Sequence, residues 1–346
     1  MDGGSQALEF PHADAPAEGA GLEIAPGILW FRLPLPNRLN HVNIYALDDG
    51  DGWSVVDTGY HSRRSVALWE AILAGPLAGR PLRRVILTHH HPDHIGMAGW
   101  LARHRDAQIW ATRTAWLMAR MMTLDIQDTT PQEVLAFYLR AGMDPVLLEK
   151  RKRDRPWNFA DVVHPIPTGY VRLSEGDKVT TGGRDWRVVI GHGHAPGHAT
   201  LWSEDGALVL AGDQVLPGIS SNLGVWPTEP EADPVGDWLE SCARLATLAT
   251  PDQLVLPGHK LPFRGLPIRL EQLIANHHGA LARLLDHLAT PRTAHDCFAP
   301  LYKRSIGEGE YGLALAEAIG HLNHLYRGGQ VRRDVSESGA WLWQRV

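Results

Sequence analysis

The stretch Thr88–His94 reads Thr-His-His-His-Pro-Asp-His, and it decides how the rest of the chain is interpreted. It follows Arg84–Leu87, a short apolar stretch that predicts a buried strand, and it precedes Ile95–Trp100, which predicts the start of a helix. Its polar residues therefore fall on a turn at the C-terminal end of a strand, where sheet proteins commonly place their chemistry. Imidazole and carboxylate groups suit divalent ions such as zinc, so this turn predicts a metal site.

The alternation of ligand types within this turn predicts room for two ions. His89 and His91 are two residues apart, so they can lie on one side of an extended turn and hold one ion. Asp93 and His94 follow directly and can hold a second ion beside the first. A polar loop that is merely rich in histidine would not need this concentration of ligand types. The two-ion interpretation requires further ligands from elsewhere in the chain.

Later segments supply such ligands, each on a Gly or Pro turn that follows a predicted strand. Gly191–His198 reads Gly-His-Gly-His-Ala-Pro-Gly-His and follows the predicted strand Trp186–Ile190. Asp213 follows the predicted strand Ala207–Leu210, and His259 closes a further one. Strand ends of one sheet meet at a common edge, so these turns can share one site.

Together these motifs resemble the metallo-β-lactamase superfamily in its binuclear hydrolase form, over about Gly27–Leu270. The resemblance implies a fold of class α/β, also described as α+β, in the form of an αββα sandwich. Its two sheets would pack face to face with helices outside, and the metal ions would lie at one sheet edge. It also implies the ligands: His89, His91 and His198 for the first ion, Asp93, His94 and His259 for the second, and Asp213 as the bridge between them. In this interpretation His194 is not a ligand, and Asp57 has a structural role.

The resemblance implies two divalent ions per chain as cofactors. Zinc is the first expectation, with iron and manganese as alternatives because they accept the same ligands. The expected nucleophile is a hydroxide held between the ions, which forms near neutral pH because bound water has a pKa of roughly 7. Asp93 is expected to bind the second ion and also to act as the catalytic base that orients this hydroxide.

Composition narrows the class of protein. The chain has 346 residues, of which 44% are hydrophobic, and a formal net charge of −6. It can therefore bury a large core, and it lacks the overall basic footprint of a nucleic-acid-binding protein. Its two cysteines, Cys242 and Cys297, make no disulfide framework, and no apolar run is long enough to span a membrane. We expect a cytoplasmic protein that acts on a small-molecule substrate without membrane contact.

The predicted organisation is a hydrolase domain flanked by two appendages. Residues 1–21 lack a signal-peptide pattern and are expected to be a loose tail, with docking on the body left open. Residues 22–266 form the hydrolase domain. Residues 267–346 predict three helices (the second over Thr293–Lys303) and a hairpin, similar to the winged-helix tail of lactamase-β-2-like proteins. Packing or homodimerisation is its favoured role, because its few arginines do not support nucleic-acid binding.

Residues 113–169 form a predicted helical insertion that is rich in methionine and aromatic residues. Its helices are expected at Thr114–Leu124, Pro131–Ala141 and Pro145–Arg151. An adaptable apolar surface beside a metal site suggests a cap over the substrate, whereas simple packing or a dimer contact is the equally weighted alternative. The basic run Arg151–Arg155 predicts a solvated face, with an anionic carrier such as coenzyme A as the weaker alternative.

These features favour hydrolysis of a thioester or carboxylic ester of a small, largely apolar acyl substrate, similar to the reaction of glyoxalase II. A lactonase with the same site is the first alternative, because nothing in the sequence separates the two. An endoribonuclease or phosphodiesterase similar to RNase Z is the second alternative, which the tail supports and the missing basic stripe opposes. A metal-binding regulatory protein without turnover is disfavoured by the full ligand set.

Overall fold

A seven-stranded and a five-stranded sheet organise the part of the chain that the computed structural model describes, residues 7–302 and 304–346. The strands of the first sheet are β1 (Leu22–Ala25), β2 (Ile28–Pro34), β3 (His41–Asp48), β4 (Trp53–Val56), β5 (Leu82–Ile86), β6 (Gln108–Thr112) and β7 (Val171–Leu173). They lie side by side in chain order, antiparallel from β1 to β4 and parallel from β4 to β7.

The second sheet continues the chain. Its strands are β8 (Lys178–Thr181), β9 (Arg184–Gly191), β10 (His198–Ser203), β11 (Leu208–Gly212) and β12 (Leu254–Pro257). Pairing is antiparallel from β8 to β11, and β12 pairs parallel with β11. The strands β5, β11 and β12, each of which has a parallel neighbour, end directly before the turns that carry predicted ligands.

Helices connect and follow these strands. They are α1 (Arg63–Ala74), α2 (Pro92–Ile95), α3 (Ala98–Arg105), α4 (Arg113–Leu124), α5 (Gln132–Arg140), α6 (Pro145–Arg153), α7 (Pro234–Ala246), α8 (Leu266–His287), α9 (Phe298–Tyr302) and α10 (Glu308–Arg327), with 3-10 turns at Phe159–Asp161 and His295–Cys297. The hairpin β13 (Val331–Val335) and β14 (Trp341–Arg345) ends the chain. The predicted segment Thr293–Lys303 ends on a residue outside the described ones.

The first sheet is buried on both faces, which explains its long apolar runs. On β3, Tyr45 and Leu47 pack in the core shared with the second sheet. Ile44 and Ala46 point to the other face, into a core that includes residues of α1, α3 and α4. Successive strand residues alternate between faces, so one strand serves both cores. Two sheets packed face to face with helices outside the first are the layers that were predicted.

Helix α1 begins directly after Ser62, a residue type that commonly caps helices. The Ser62 hydroxyl accepts the backbone N–H of Ser65 at 3.0 Å, which satisfies one of the free donors of the first turn. Such a cap contributes about 1 kcal/mol to helix stability. Trp69 and Ile72 form the buried side of the helix. Ser62 is therefore the N-cap of this helix.

The described part of the N-terminal segment is docked rather than loose. Glu9 exchanges two backbone hydrogen bonds with Arg264, at 3.3 and 2.8 Å. Farther along, Glu18 pairs with Arg64, and Ala15 packs against the core between the sheets. The expectation of a loose tail at residues 1–21 is wrong for residues 7–21, because backbone pairing fixes this segment whatever its composition. Residues 1–6 lie outside the described part.

Packing divides the chain into two compact units. The first consists of residues 1–126, 158–221 and 246–270 and contains both large sheets. The second consists of residues 127–157, 222–245 and 271–346. This division differs from the predicted boundary between residues 266 and 267. Residues 127–157 and 222–245 precede that boundary in sequence but pack with the C-terminal part of the chain.

Contacts inside the second unit show how its segments are joined. The Tyr311 hydroxyl accepts the backbone N–H of Asp144 at 2.8 Å, which ties the insertion to helix α10. The Asn323 amide donates to the carbonyls of Pro230 and Ala232 at 3.0 and 2.9 Å. The first of these contacts gives residues 127–157, the part of the insertion in the second unit, a packing role. The cap over a substrate stays a prediction.

Candidate metal centre

The structure places the predicted ligands on turns that all belong to the first unit. His89 and His91 lie between β5 and α2, while Asp93 and His94 belong to the single-turn helix α2. The remaining candidates lie in three further places: His198 begins β10, Asp213 follows β11, and His259 follows β12. Within the described residues, three groups of His and Asp side chains are close enough to hold a metal ion, and all three use these turns. Two of them share no residue and are described first; the third, His89, His94 and Asp213, joins them.

The first group consists of His89, His91 and His194. The Nδ1 atom of His91 lies 3.0 Å from Nε2 of His89 and 2.9 Å from Nε2 of His194. Three nitrogens on a tetrahedral zinc ion, with bonds of 2.0–2.1 Å, would be about 3.3 Å apart. The observed spacing therefore needs only a small expansion to hold an ion.

The second group consists of Asp93, His94 and His259. The Oδ2 atom of Asp93 lies 3.4 Å from Nε2 of His259 and 3.7 Å from Nε2 of His94. The two rings thus point their Nε2 atoms at one carboxylate. One carboxylate and two imidazoles are a common ligand set for zinc and for other divalent ions.

Asp213 stands between the two groups. Its Oδ2 atom lies 3.2 Å from Nε2 of His259 and 3.5 Å from Nε2 of His94, both in the second group. The same oxygen lies 3.6 Å from Nε2 of His194 in the first group. A single buried carboxylate thus reaches both sets of nitrogens, which is the position required of a bridge.

The geometry corrects one predicted ligand, because His194 occupies the position that was assigned to His198. The Nε2 atom of His198 accepts the backbone N–H of Asp213 at 3.1 Å, so this ring supports the turn instead of facing the site. Gly212 (φ +49°) makes room for the ring, since a Cβ there would lie 2.7 Å from Cε1 of His198. The usable signal was position: His198 is the first residue of a buried strand and is paired with Gly191, whereas His194 lies in the loop before it.

Asp57 and Thr88 orient the rings on the Thr88–His94 turn. The Nδ1–H of His94 donates to Oδ2 of Asp57 at 2.8 Å. The Thr88 hydroxyl donates to the same carboxylate, and it therefore accepts the Nδ1–H of His89 at 2.9 Å. Both rings are left with an unprotonated Nε2 directed to the site, the form that binds metal. Asp57 therefore positions a ligand, as its predicted structural role requires.

Backbone atoms orient His259. Its Nδ1–H donates to the carbonyl of His41 at 2.8 Å, which again leaves Nε2 for the site. The turn itself is fastened to β3 by Asn43, whose side-chain amide donates to the carbonyls of Pro257 and Lys260 at 2.8 and 2.9 Å. The geometry of this ligand is thus set by hydrogen bonds that exist without an ion.

The electrostatics of the site divide between the two groups. Burial, together with the neighbouring imidazoles, holds the pKa of His89 and of His91 well below the ordinary value, so both are neutral ligands. Burial also opposes charging of His259, but Asp213 and Asp93 outweigh it and raise its pKa to about 9. The carboxylates of Asp93 and Asp213 thus favour a positive charge on the second group, which a bound cation would supply in place of the imidazole proton.

Polar atoms without partners support the assignment of a metal centre. Among the described residues, Nε2 of His94 and Oδ1 of Asp213 are buried and have no hydrogen-bond partner. Leaving such atoms unpaired is costly, and a divalent ion would satisfy both. Gly258 keeps the space around them open, since a Cβ there would lie 2.1 Å from Oδ1 of Asp213 and 2.8 Å from Cε1 of His94. The residues present therefore suit a metal ion.

Tyr60 is a candidate that sequence reasoning missed. Burial, together with the nearby carboxylate of Asp93, raises the pKa of its phenol to about 12, so the hydroxyl stays protonated and can donate. The available signal was its place directly after the Asp57–Gly59 turn. A neutral donor beside Asp93 can hold the carboxylate or a substrate oxygen in place.

A two-sheet sandwich with clustered imidazoles and carboxylates at its strand ends defines a protein with a metal-binding hydrolase fold. The chain belongs to the metallo-β-lactamase superfamily, whose family model matches residues 37–259. A second model, the C-terminal domain of metallo-β-lactamase-like proteins, matches residues 281–346. The αββα fold class predicted from the motifs is thereby confirmed, and membership of this superfamily supports a metal-dependent hydrolase.

Similar proteins cover almost the whole chain. A β-lactamase domain protein from Burkholderia ambifaria is 38% identical in its crystal structure, with a TM-score of 0.90 and 98% of each chain covered. A metallo-β-lactamase family protein from Thermus thermophilus is 28% identical, with a TM-score of 0.78, covering 94% of this chain and 100% of that one. A probable metallo-hydrolase of Bacillus subtilis, YqjP, is 26% identical over 305 residues, which are 86% of this chain and 92% of that protein. None of the helices in the described residues has the length and apolarity to cross a membrane.

Proposed function

We propose that this chain is a hydrolase that uses two divalent metal ions, zinc in the first place, to cleave a carboxylic ester or thioester of a small acyl substrate. The observation that carries the two-ion part is the position of Asp213, whose Oδ2 atom reaches His194 on one side and both His94 and His259 on the other. The proposed ligands are His89, His91 and His194 for the first ion and Asp93, His94 and His259 for the second.

When bound, two such ions activate water as a nucleophile and neutralise the negative charge that develops on the substrate. The chain itself supplies positioning and proton transfer. Asp93 is 17% exposed, whereas the side chains of Asp213 and His259 are 8% and 1% exposed. The carboxylate of Asp93 is therefore the one best placed to take a proton from water entering the site and to pass it to the leaving group.

Helix α4 supports an apolar acyl substrate. Its cap residue Thr112 donates a hydroxyl hydrogen bond to the carbonyl of Gly197 at 2.7 Å, so the helix begins at the loop that carries His194. On the exposed face of this helix, Leu117, Met121 and Leu124 are 52%, 46% and 68% exposed. An apolar stripe that starts beside the site offers a surface for the non-reacting part of an acyl group. A lactone with an apolar side chain would suit the same surface.

The arginines of the terminal hairpin argue against RNA as the substrate. Arg333 pairs with Glu231 at 2.9 Å, and its guanidinium lies 4.4 Å from the ring centre of Trp341. Arg332 donates to Gln344 at 2.6 Å. Arg333 is 15% exposed and already engaged inside the second unit, so it is poorly available for the phosphate contacts that dominate nucleic-acid affinity, whereas Arg332 is 63% exposed.

Turnover on a mixed panel tests the proposal. Full-length protein loaded with zinc, iron or manganese would be offered acyl-coenzyme A and acylglutathione thioesters, aryl esters, lactones and a short structured RNA. Asp93→Asn, which keeps the shape of the side chain, is the control. We expect cleavage of esters or thioesters, with kcat reduced about 100- to 10,000-fold in the control because the proton acceptor is removed. Cleavage of RNA alone, or an unchanged rate in Asp93→Asn, would refute the proposal.

A further inference from the structure

The basic run at the end of helix α6 lies on the wall of a cavity inside the second unit. The cavity has a volume of about 220 Å³ and is bounded by α6, by the segment that follows it and by helix α10. Its lining includes three cationic side chains, Lys150, Arg151 and Arg155, two carboxylates, Asp154 and Glu308, and two aromatic rings, Trp157 and Tyr311. The cavity is therefore a separate feature from the metal centre, which belongs to the first unit.

Arg151 differs from Lys150 and Lys152 in having no carboxylate partner within the described residues. Lys150 pairs with Glu308, and Lys152 pairs with Glu149 at 2.5 Å. The guanidinium of Arg151 instead lies over the ring of Tyr138, with its central carbon 4.3 Å from the ring centre. A cation held over an aromatic face keeps its N–H donors, and a guanidinium fork matches the oxygens of a phosphate.

Neutralisation of the helix dipole does not account for this arrangement. Cationic residues in the last turn of a helix stabilise its C-terminus, which explains the charge of the run. It does not explain why one guanidinium of the run lines a cavity over a tyrosine ring, or why Trp157, which is 58% exposed, lines the same space.

The wall opposite helix α6 is held rigidly. The hydroxyl of Tyr311 accepts the backbone N–H of Asp144 at 2.8 Å and lies 2.8 Å from Nδ1 of His295. The Thr130 hydroxyl donates to the backbone carbonyl of Arg151 at 2.8 Å, which fixes the segment from the other end. A site whose walls are set before binding loses little entropy when a ligand enters.

We propose that this cavity binds a nucleoside monophosphate, with the phosphate on the Arg151 guanidinium and the base stacked on Trp157. Arginine forks match phosphate oxygens, and exposed tryptophan rings stack on bases. The volume of 220 Å³ equals that of about seven liquid water molecules, which suits a phosphate and its sugar with the base at the rim. The proposal does not rest on the hydrolytic function of the metal centre.

Calorimetric titration of the metal-loaded full chain tests this site with AMP, adenosine and inorganic phosphate as probes. Arg151→Gln removes the anchor, and Trp157→Leu removes the stacking platform. Arg153→Gln is the matched control, because it removes the same charge two residues farther along the helix. The Arg153 side chain is exposed and does not line the cavity. Circular dichroism and metal content verify that each variant is folded.

We expect AMP to bind more tightly than adenosine or inorganic phosphate. Arg151→Gln should weaken AMP binding at least about tenfold, the loss of a charge-assisted bidentate contact, while Arg153→Gln changes it less than about twofold. Trp157→Leu should weaken AMP binding and leave phosphate binding unchanged, and it decides alone if Arg151→Gln does not fold. Equal losses in the two arginine variants, equal affinity for AMP and phosphate, or no binding of AMP at millimolar concentration would overturn the proposal.

Discussion

A single methyl group at Gly258 tests whether the bridging position of Asp213 holds the metal centre together. Gly258 has no positive φ, so the backbone accepts an alanine there. The methyl group of Gly258→Ala would nevertheless lie 2.1 Å from Oδ1 of Asp213 and 2.8 Å from Cε1 of His94. The substitution therefore acts on the two ligands and leaves the local backbone conformation possible.

The size of the effect follows from how little these ligands can move. Carbon and oxygen atoms in contact need more than 3 Å, so the carboxylate must retreat by about 1 Å. The backbone of Asp213 cannot follow, because its N–H is held by His198 and its carbonyl by the Ser221 hydroxyl. A displacement of about 1 Å commonly costs about 100-fold in rate, and a misplaced ligand costs about 10- to 100-fold in metal affinity. Overpacking should also lower the free energy of unfolding by about 1–3 kcal/mol.

The assay compares Gly258→Ala with Gly169→Ala. Gly169 has an ordinary φ and nothing within 4 Å of the added Cβ, so this control adds the same methyl group at an innocuous site. Metal content after gel filtration, metal affinity by chelator competition, and kcat on the best ester are measured for both. If Gly258→Ala keeps two ions per chain and activity within about twofold of the control, the bridging role of Asp213 is wrong.

Three further predictions concern other residues. His194→Ala should lose one of the two bound ions, as metal content would show. His198→Phe should keep both ions but lower the free energy of unfolding by about 1–3 kcal/mol, because the buried backbone N–H of Asp213 loses its acceptor; urea unfolding measures this loss. Asp57→Asn should weaken metal binding about 10- to 100-fold, as chelator competition would show, because His94 loses a charged partner. Burial raises the pKa of Glu317 to about 7, although two hydrogen bonds oppose this. The folded state therefore binds the proton of this carboxyl more tightly than the unfolded state does. The stability that the protonated group contributes is complete below about pH 4.5 and is lost as the pH rises through about 7. Glu317→Gln should unfold like the wild type at pH 4 and be about 3 kcal/mol more stable at pH 8, and equal stability at both pH values would contradict this.

The sequence was most informative where one local rule governs the structure. Apolar runs that end in Gly or Pro turns predicted the strands that carry Asp213 and His259, and strand ends of a sheet meet at one edge. The cap at Ser62 follows a local rule of the same kind, since capping depends on a few neighbouring residues. Short strands with weak patterns, such as Val171–Leu173, were not predicted, because their existence depends on pairing with β6 rather than on their own residues.

The choice between His194 and His198 shows where such rules stop. Both residues lie in one turn and have the same side chain, so chemistry alone does not distinguish them. What separates them is the strand boundary: His198 pairs with Gly191 across β9 and β10, and its ring is turned beneath the Asp213 turn. Both strands belong to one short hairpin, and the residue types of the motif Gly191–His198 alone do not mark where its turn ends and β10 begins.

The division into two units has the same origin. Residues 127–157 and 222–245 join the C-terminal part because they pack there, through contacts such as Tyr311 with Asp144. Sequence order alone placed them in the hydrolase domain. The docking of residues 7–21 through Glu9 and Arg264 likewise depends on a strand edge that becomes available only after folding.

The metal centre is oriented by groups that are themselves fixed by the fold. Asp57 holds His94, the carbonyl of His41 holds His259, and Thr88 links the rings of the first turn to the same carboxylate. Each of these contacts uses Nδ1 and leaves Nε2 for an ion. Because the orienting bonds come from strand ends and backbone carbonyls, the fold itself directs Nε2 of these rings toward the site, and the ligands need not be positioned by the ion alone. Tyr311 and Thr130 fix the walls of the second unit's cavity by the same kind of contact, through hydrogen bonds to the backbone of Asp144 and Arg151.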